Sequence, residues 1–278
     1  MKSPKEILIE QKLTELVTKI TDCTPEEDDL PNRVLLELLN DKEIQAIQDY
    51  ANKVSIARLG FNDHGPVHMR TVCYNAMKML KILHAAHIPT SLQTEQTGTF
   101  DDSVTAVMIA SFVHDLGMTL GRQDHELYSG IMSYSIITRI LEHVLPLPEE
   151  LNRRVTIRSM AMEGIIGHMG THRIHSIEAG LILIADGCDM TKGRARIPIE
   201  IRTQPRAGDI HKYSANSIDR VTIQPGKERP IRIQVDMSAE VGLFQVEEVL
   251  LPKINSSPAQ HLVEVCASVC NGEEKRYL

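Results

Sequence analysis

Val104-Thr105-Ala106-Val107-Met108-Ile109-Ala110-Ser111-Phe112-Val113-His114-Asp115-Leu116-Gly117 decides the reading of this 278-residue chain. Residues 104–113 are apolar on nearly every side, the pattern of a helix enclosed by protein on all faces. The run then ends on an imidazole and a carboxylate side by side. Placing those two groups at the end of the most buried helix costs free energy unless each is paired or bound to a metal ion. Neighbouring helical positions point about 100° apart, so both side chains can flank one ion near a helix end. The plainer alternative is a histidine that caps the helix and an aspartate that faces solvent.

Upstream, residues 89–103 are polar and aperiodic and read as a loop, with Asp102 or Ser103 as the N-cap of the 104–115 helix. Asp63-His64-Gly65-Pro66 opens an earlier helix, with Pro66 near its first position and Val67, Val72, Ala76, Met77 and Leu80 turned inward. Residues 1–60 carry apolar residues at helical spacing, among them Leu13, Leu16 and Val17, then Val34, Leu35 and Leu38, with a polar break around Thr24-Pro25-Glu26-Glu27. Downstream, helices are expected over about 125–144, 149–168 and 174–190, and no strand before residue 192. After that the texture changes. Val221-Thr222-Ile223-Gln224, a Pro225-Gly226 turn and Ile231-Arg232-Ile233-Gln234-Val235 read as a β-hairpin. A helix ending near Pro252 and a last strand around 261–266 follow. The fold class is therefore mainly α, a helical bundle over residues 1–195 (with 1–60 as N-terminal helices packed on it) and a smaller α+β domain over 196–278.

Composition narrows the function. Hydrophobic residues make up 42% and charged residues 24%, enough apolar material for a sizeable core. The net charge of −7 argues against an extended nucleic-acid surface. No apolar run reaches the ~18–20 residues of a membrane span. The N-terminus does not read as a signal peptide, and five scattered cysteines form no disulfide framework. Reduced cytoplasm is the expected location. The unusual feature is 12 histidines.

His68 lies on the helix after Gly65-Pro66, among Val67, Met69 and Val72. His125 opens the helix after the Gly117–Gly121 loop. His168 sits between Gly167 and Gly170, and Asp186 closes the apolar run Leu181-Ile182-Leu183-Ile184-Ala185. A lone histidine on an apolar helix face is ordinarily a satisfied core residue. Here separate helices each offer a ligand-type group from an apolar face, which suits a metal site inside a bundle. Imidazole and carboxylate without thiolate favour Mn²⁺, Fe²⁺, Co²⁺ or Zn²⁺, with Mg²⁺ in an oxygen-rich position. On one 174–190 helix His175 and Asp186 are about 16 Å apart, so they cannot share an ion. His84, His87, His143, His211 and His261 read as surface or packing residues.

The order His68 … His114-Asp115 … Asp186 resembles the HD superfamily of metal-dependent phosphohydrolases, whose signature is H…HD…D on a helical bundle. His114-Asp115-Leu116-Gly117 is similar to the family's HD-[IL]-G turn. His125-Glu126-Leu127-Tyr128-Ser129-Gly130 is similar to the later helix start of members with two metals, and His168 stands where those members carry a further histidine. Many of them have two adjacent histidines there, whereas this chain has His168-Met169. The resemblance implies one or two divalent ions, the first held by His68, His114, Asp115 and Asp186, the second by Asp115, His125 and His168. It implies hydrolysis of a phosphomonoester or phosphodiester of a nucleotide-like or other small phosphorylated substrate. Asp115, Asp189 and His64 are then the catalytic candidates, His64 for the leaving group and Asp189 to orient a ligand or the water. Arg122, Lys192 and Arg194, and less so Arg196, are candidates to bind phosphate, although cations after a helix also simply suit its dipole. The alternative function is a regulatory module that binds a metal or nucleotide without turnover. The hairpin edge leaves a homodimer open.

Overall fold

The computed structural model describes residues 2–20, 29–191, 210–270 and 272–278. The chain is mainly helical, with a small C-terminal sheet. Helices α1 (Pro4–Ile20), α2 (Leu30–Asn40), α3 (Lys42–Lys53), α4 (Pro66–Ala85), α5 (Ser91–Thr94), α6 (Phe100–Val113), α7 (His125–Val144), α8 (Leu151–Gly167) and α9 (Ile177–Cys188) build the body. Among the described residues no helix is long and apolar enough to cross a membrane.

Helix α6 is the axis of the body. It touches α2, α4, α8 and α9, and every residue from Asp102 to Val113 is buried. Its start corrects the expected cap. Thr99 is the N-cap, its hydroxyl accepting from the Asp102 amide while the Asp102 carboxylate accepts from the Thr99 amide. Asp102 is therefore the third residue of a reciprocal capping box, and the helix begins one turn earlier than the apolar run. Residues 89–103 are likewise not all loop, because α5 forms within them behind a cap at Thr90. Pro66 stands at the start of α4 as the spacing predicts, its missing N–H falling where helices have no partner for one. Helix α9 starts at Ile177 behind a Ser176 cap, so His175 lies outside it and is exposed.

Beyond Ile210–Asn216, strands β1 (Ile218–Pro225), β2 (Ile231–Met237), β3 (Val263–Val269) and β4 (Glu274–Arg276) form one sheet in that order. β1 and β2 are the expected antiparallel hairpin, with Val221 opposite Val235. Their connection spans 226–230, longer than a Pro-Gly turn, and is held by Glu264, whose carboxylate accepts from the amides of Lys227, Glu228 and Arg229. β3 pairs parallel to β2, with Ile233 opposite Val265. The crossover passes through a π-type turn at Val246–Leu250 and the helix Leu251–Asn255. Pro252 opens that last helix and does not end the segment. The sheet lies on α4, and the crossover turns lie on α9. Ile218, Ile233, Val235, Val246, Leu250 and Val265 join the same buried cluster as α4 and α6, so one apolar core runs through both parts of the molecule.

Candidate metal centre

Four segments of the body converge where α6 ends. His114 and Asp115 follow α6, His68 is one turn into α4, His125 is the first residue of α7, and His168 caps α8. Asp186 and Asp189 come from the last turn and C-cap of α9. The turn that delivers Asp115 to the start of α7 depends on Gly117. A Cβ there would lie 2.1 Å from the His125 carbonyl oxygen, and the Gly117 amide donates to Ser129 Oγ at 2.8 Å. Only a residue without a side chain lets the two segments approach this closely.

Asp115 divides its carboxylate between two pairs of imidazoles. Oδ2 lies 3.2 Å from His68 Nε2 and 3.4 Å from His114 Nε2. Oδ1 lies 3.2 Å from His125 Nε2 and 3.4 Å from His168 Nε2. Within each pair the Nε2 atoms face one another, at 3.3 Å for His68 and His114 and 3.1 Å for His125 and His168. Asp186 Oδ1 is 3.2 Å from His68 Nε2 on the first side.

The opposite edge of each ring sets its tautomer. His114 Nδ1 meets the Ser111 carbonyl at 2.9 Å, His125 Nδ1 the Arg122 carbonyl at 2.9 Å and His168 Nδ1 the Ile165 carbonyl at 2.7 Å. A carbonyl only accepts, so each Nδ1 carries a proton, and in the neutral ring Nε2 is a bare lone pair. His68 Nδ1 donates in the same way to Asp189 Oδ2 at 2.7 Å. Burial pushes His114 down to about 3, against the pull of the Asp115 carboxylate. Burial opposes ionisation of Asp115 too, but the fields of His114 and His64, and hydrogen bonds from His125 and His168 when either carries a proton on Nε2, hold its carboxyl well below the usual range. Lone pairs of nitrogen and carboxylate oxygens thus face one another in a buried space. A shared cation satisfies such a set, because a metal ion takes lone pairs from all sides at once. Among the described residues, His68, His114 and Asp186, and His114, Asp115 and His168, are the two groups with ligand atoms close enough to hold an ion.

A curated relative, the uncharacterized protein MJ1020 of Methanocaldococcus jannaschii, is 38% identical over 240 residues, which is 86% of this chain and 90% of the relative. The chain belongs to that protein's family. No family model matches the chain. No solved structure matches it.

The other sequence-derived site residues divide. His64 is buried beside the cluster, its ring edge-on to His68 with centroids 5.7 Å apart. Its Nδ1 is fixed 2.7 Å from the Asn62 carbonyl and 2.8 Å from Ser55 Oγ, which turns Nε2 away from that edge. Arg122 is exposed, with Nη2 3.7 Å from Met169 Sδ, and what it gives the cluster is its backbone carbonyl, bonded to His125. Lys192, Arg194 and Arg196 lie outside the described residues.

Two residues of the site were not foreseen. Glu126 sits 3.2 Å from His125 Nδ1 and accepts from Thr171 Oγ1 at 2.7 Å, tying the start of α7 to the α8–α9 connection. Lys253, on the helix Leu251–Asn255, is paired with Asp186 Oδ2 and donates to the His168 carbonyl at 2.8 Å. Its only local signal is a lone cation between Leu250, Leu251 and Ile254.

Proposed function

We propose that this protein is a metal-dependent phosphohydrolase of the HD type, acting on a phosphomonoester or phosphodiester of a nucleotide or small phosphometabolite. The observation that carries this reading is the split carboxylate of Asp115, one oxygen to each imidazole pair. In the proposal the first divalent ion is held by His68, His114, Asp115 and Asp186, and the second by Asp115, His125 and His168. Bound there, the ions supply Lewis-acid charge to phosphoryl oxygens and acidify the attacking water.

The chain's own groups do the rest. Asp189 and the backbone carbonyls of Ser111, Arg122 and Ile165 fix the four imidazole tautomers, so the lone pairs point inward before any ligand arrives. The deep burial of His125 and His168 excludes bulk water from the far side. His64, whose Nδ1 is tied back to the Asn62 carbonyl, would act as the imidazolium, the form that carries a proton on Nε2 to give to a departing oxygen.

The test is element-resolved metal content together with a phosphoester panel in Mn²⁺. Turnover should appear in the wild type and fall at least about 100-fold in Asp115→Asn, with loss of bound metal. Metal bound without turnover of any phosphoester would favour the regulatory module. Turnover and metal content unchanged in Asp115→Asn would overturn the mechanism.

A further inference from the structure

The cluster has a fully enclosed side and a slightly exposed side. His114 and His168 have no exposed surface and His68, Asp115 and His125 at most 2%, whereas Asp186 and Asp189 are each 8% exposed and His64 is 7% exposed. What little surface the cluster exposes lies along the Asp186–Asp189–His64 edge. Lys253 stands on that edge, with 12% of its side chain exposed.

An ammonium group has three N–H donors. Lys253 uses one on Asp186 Oδ2 and one on the His168 carbonyl. No hydrogen-bond partner takes the third among the described residues. Its two partners belong to opposite halves of the cluster, since Asp186 faces His68 and His168 faces His125. An anion lying across both halves is therefore within reach of this one cation. The lysine stem reaches the spot along Gly187, where an added Cβ would lie 3.1 Å from Lys253 Cδ and 3.3 Å from Leu250 Cδ1. The glycine after Asp186 keeps that passage open.

We infer that Lys253 is a phosphate-binding residue of the site, and that through it the C-terminal part of the chain supplies the cation that holds the substrate's phosphoryl oxygens. The inference rests on the hydrolase reading above and adds to it a residue that the sequence analysis sought elsewhere, at Arg122, Lys192 and Arg194. A lysine suits the task as a compact point charge that can exchange a carboxylate oxygen for a phosphoryl oxygen without leaving its place.

The experiment uses the full chain loaded with Mn²⁺ and inorganic phosphate as the probe. Phosphate affinity is measured by calorimetry and Mn²⁺ content by mass spectrometry on the same samples. Lys253→Met should raise the phosphate Kd at least tenfold while Mn²⁺ content stays at the wild-type value, and Lys253→Arg should recover most of the affinity. Gly187→Ala, which displaces the stem and keeps the ammonium, should give a smaller loss and serves if Lys253→Met does not fold. Phosphate affinity within twofold of wild type in Lys253→Met overturns the inference. So does loss of Mn²⁺ from that variant, which would make Lys253 a positioning residue for Asp186 and not an anion ligand. A wild-type chain that takes up no Mn²⁺ breaks the hydrolase reading itself, and a loaded chain whose phosphate affinity ignores Lys253 breaks the inference alone.

Discussion

Arg70 and His68 stand two residues apart on α4, both buried, and each belongs to a different polar cluster. Around Arg70 a cation meets carboxylates and neutral acceptors. Nε donates to Glu10 at 2.6 Å, Nη1 to Gln48 and the Pro66 carbonyl, and Nη2 to Gln45, while Glu6 Oε1 lies 3.4 Å from Nη2. Four of the five guanidinium protons therefore have acceptors, and Glu6 Oε1 is paired with the guanidinium by charge without a hydrogen bond. Gln48 passes the connection on, its amide donating to the Phe112 carbonyl at the end of α6. Around His68 the balance is reversed, because imidazole Nε2 atoms and carboxylate oxygens face each other. The first cluster is balanced in charge, with a cation set among carboxylates and amides, and fastens α1 and α3 to α4 and α6. Among the described residues the second gathers nitrogen and carboxylate acceptors that added protons or a metal ion would satisfy. A buried polar group by itself does not mark a site, but a buried excess of acceptors does.

The largest effect should come from breaking the balanced cluster. Arg70→Met leaves Glu6 buried without its cation, and removing one partner of a buried ion pair is expected to cost about 3–5 kcal/mol. Urea unfolding of the metal-free protein reads that loss. The same variant, once folded, should bind as much Mn²⁺ as wild type, because no ligand has changed. Metal loss on a par with the stability loss would show that the two clusters are one unit.

The second effect is smaller and belongs to the unbalanced cluster. A metal ion at a hundred times its dissociation constant should stabilise the chain by about 2.7 kcal/mol, and a chelator should remove that increment. Acid should act on the metal-free protein in the same region. His114 resists protonation down to about 3 in the folded state but takes a proton near 6.5 when unfolded. Between those values the unfolded chain binds the extra proton, so stability falls as pH falls through 6.5, by up to about 1.4 kcal/mol per pH unit for this one group. Protons also compete with metal for the same lone pairs, so metal affinity declines over the same range. Thermal melts with and without Mn²⁺ from pH 7.5 to 5 check both. Flat stability across that window would mean that His114 is already protonated when folded.

How much of this contrast was legible in the sequence follows from where its signals lie. Helix α6 is readable because being apolar all round has few other meanings, and His114-Asp115 stands out at its end. The hairpin is readable from the alternation in Ile231–Val235. Three things were not. The Thr99 cap was hidden because Asp102 is itself a strong capping residue, and only the reciprocal bond between them shows which one lies outside the helix. The parallel pairing of β2 and β3 depends on a long crossover whose turns carry no strand pattern, and β4 is three exposed charged residues. Arg70 and Lys253 look like ordinary surface cations, because their partners Glu10 and Asp186 are far away in the chain and only the tertiary structure brings them together. Sequence shows which residue types can do the chemistry. It does not show which cations have been drawn inside.

The finest comparison lies within the second cluster, between the groups that face inward and those that hold them. Asp189 touches none of the inward-facing nitrogens. Its Oδ2 accepts from His68 Nδ1 at 2.7 Å, whereas the other three rings are oriented by backbone carbonyls that no substitution can remove. Asp189→Asn is thus a conservative change that loosens a ring's orientation without deleting a ligand. An asparagine can still accept through its amide oxygen, so the ring need not turn over, but the negative charge that strengthens His68 as a donor of electrons is gone. Outer partners of metal-bound histidines typically contribute 10–100-fold to affinity, which is about 1.4–2.7 kcal/mol at 1.4 kcal/mol per tenfold. Calorimetry with Mn²⁺ should show that loss at the first ion only, with the second, on His125 and His168, unchanged. Equal weakening of both ions would mean that the two halves share their geometry through Asp115 so tightly that the orientation of one ring sets the whole centre.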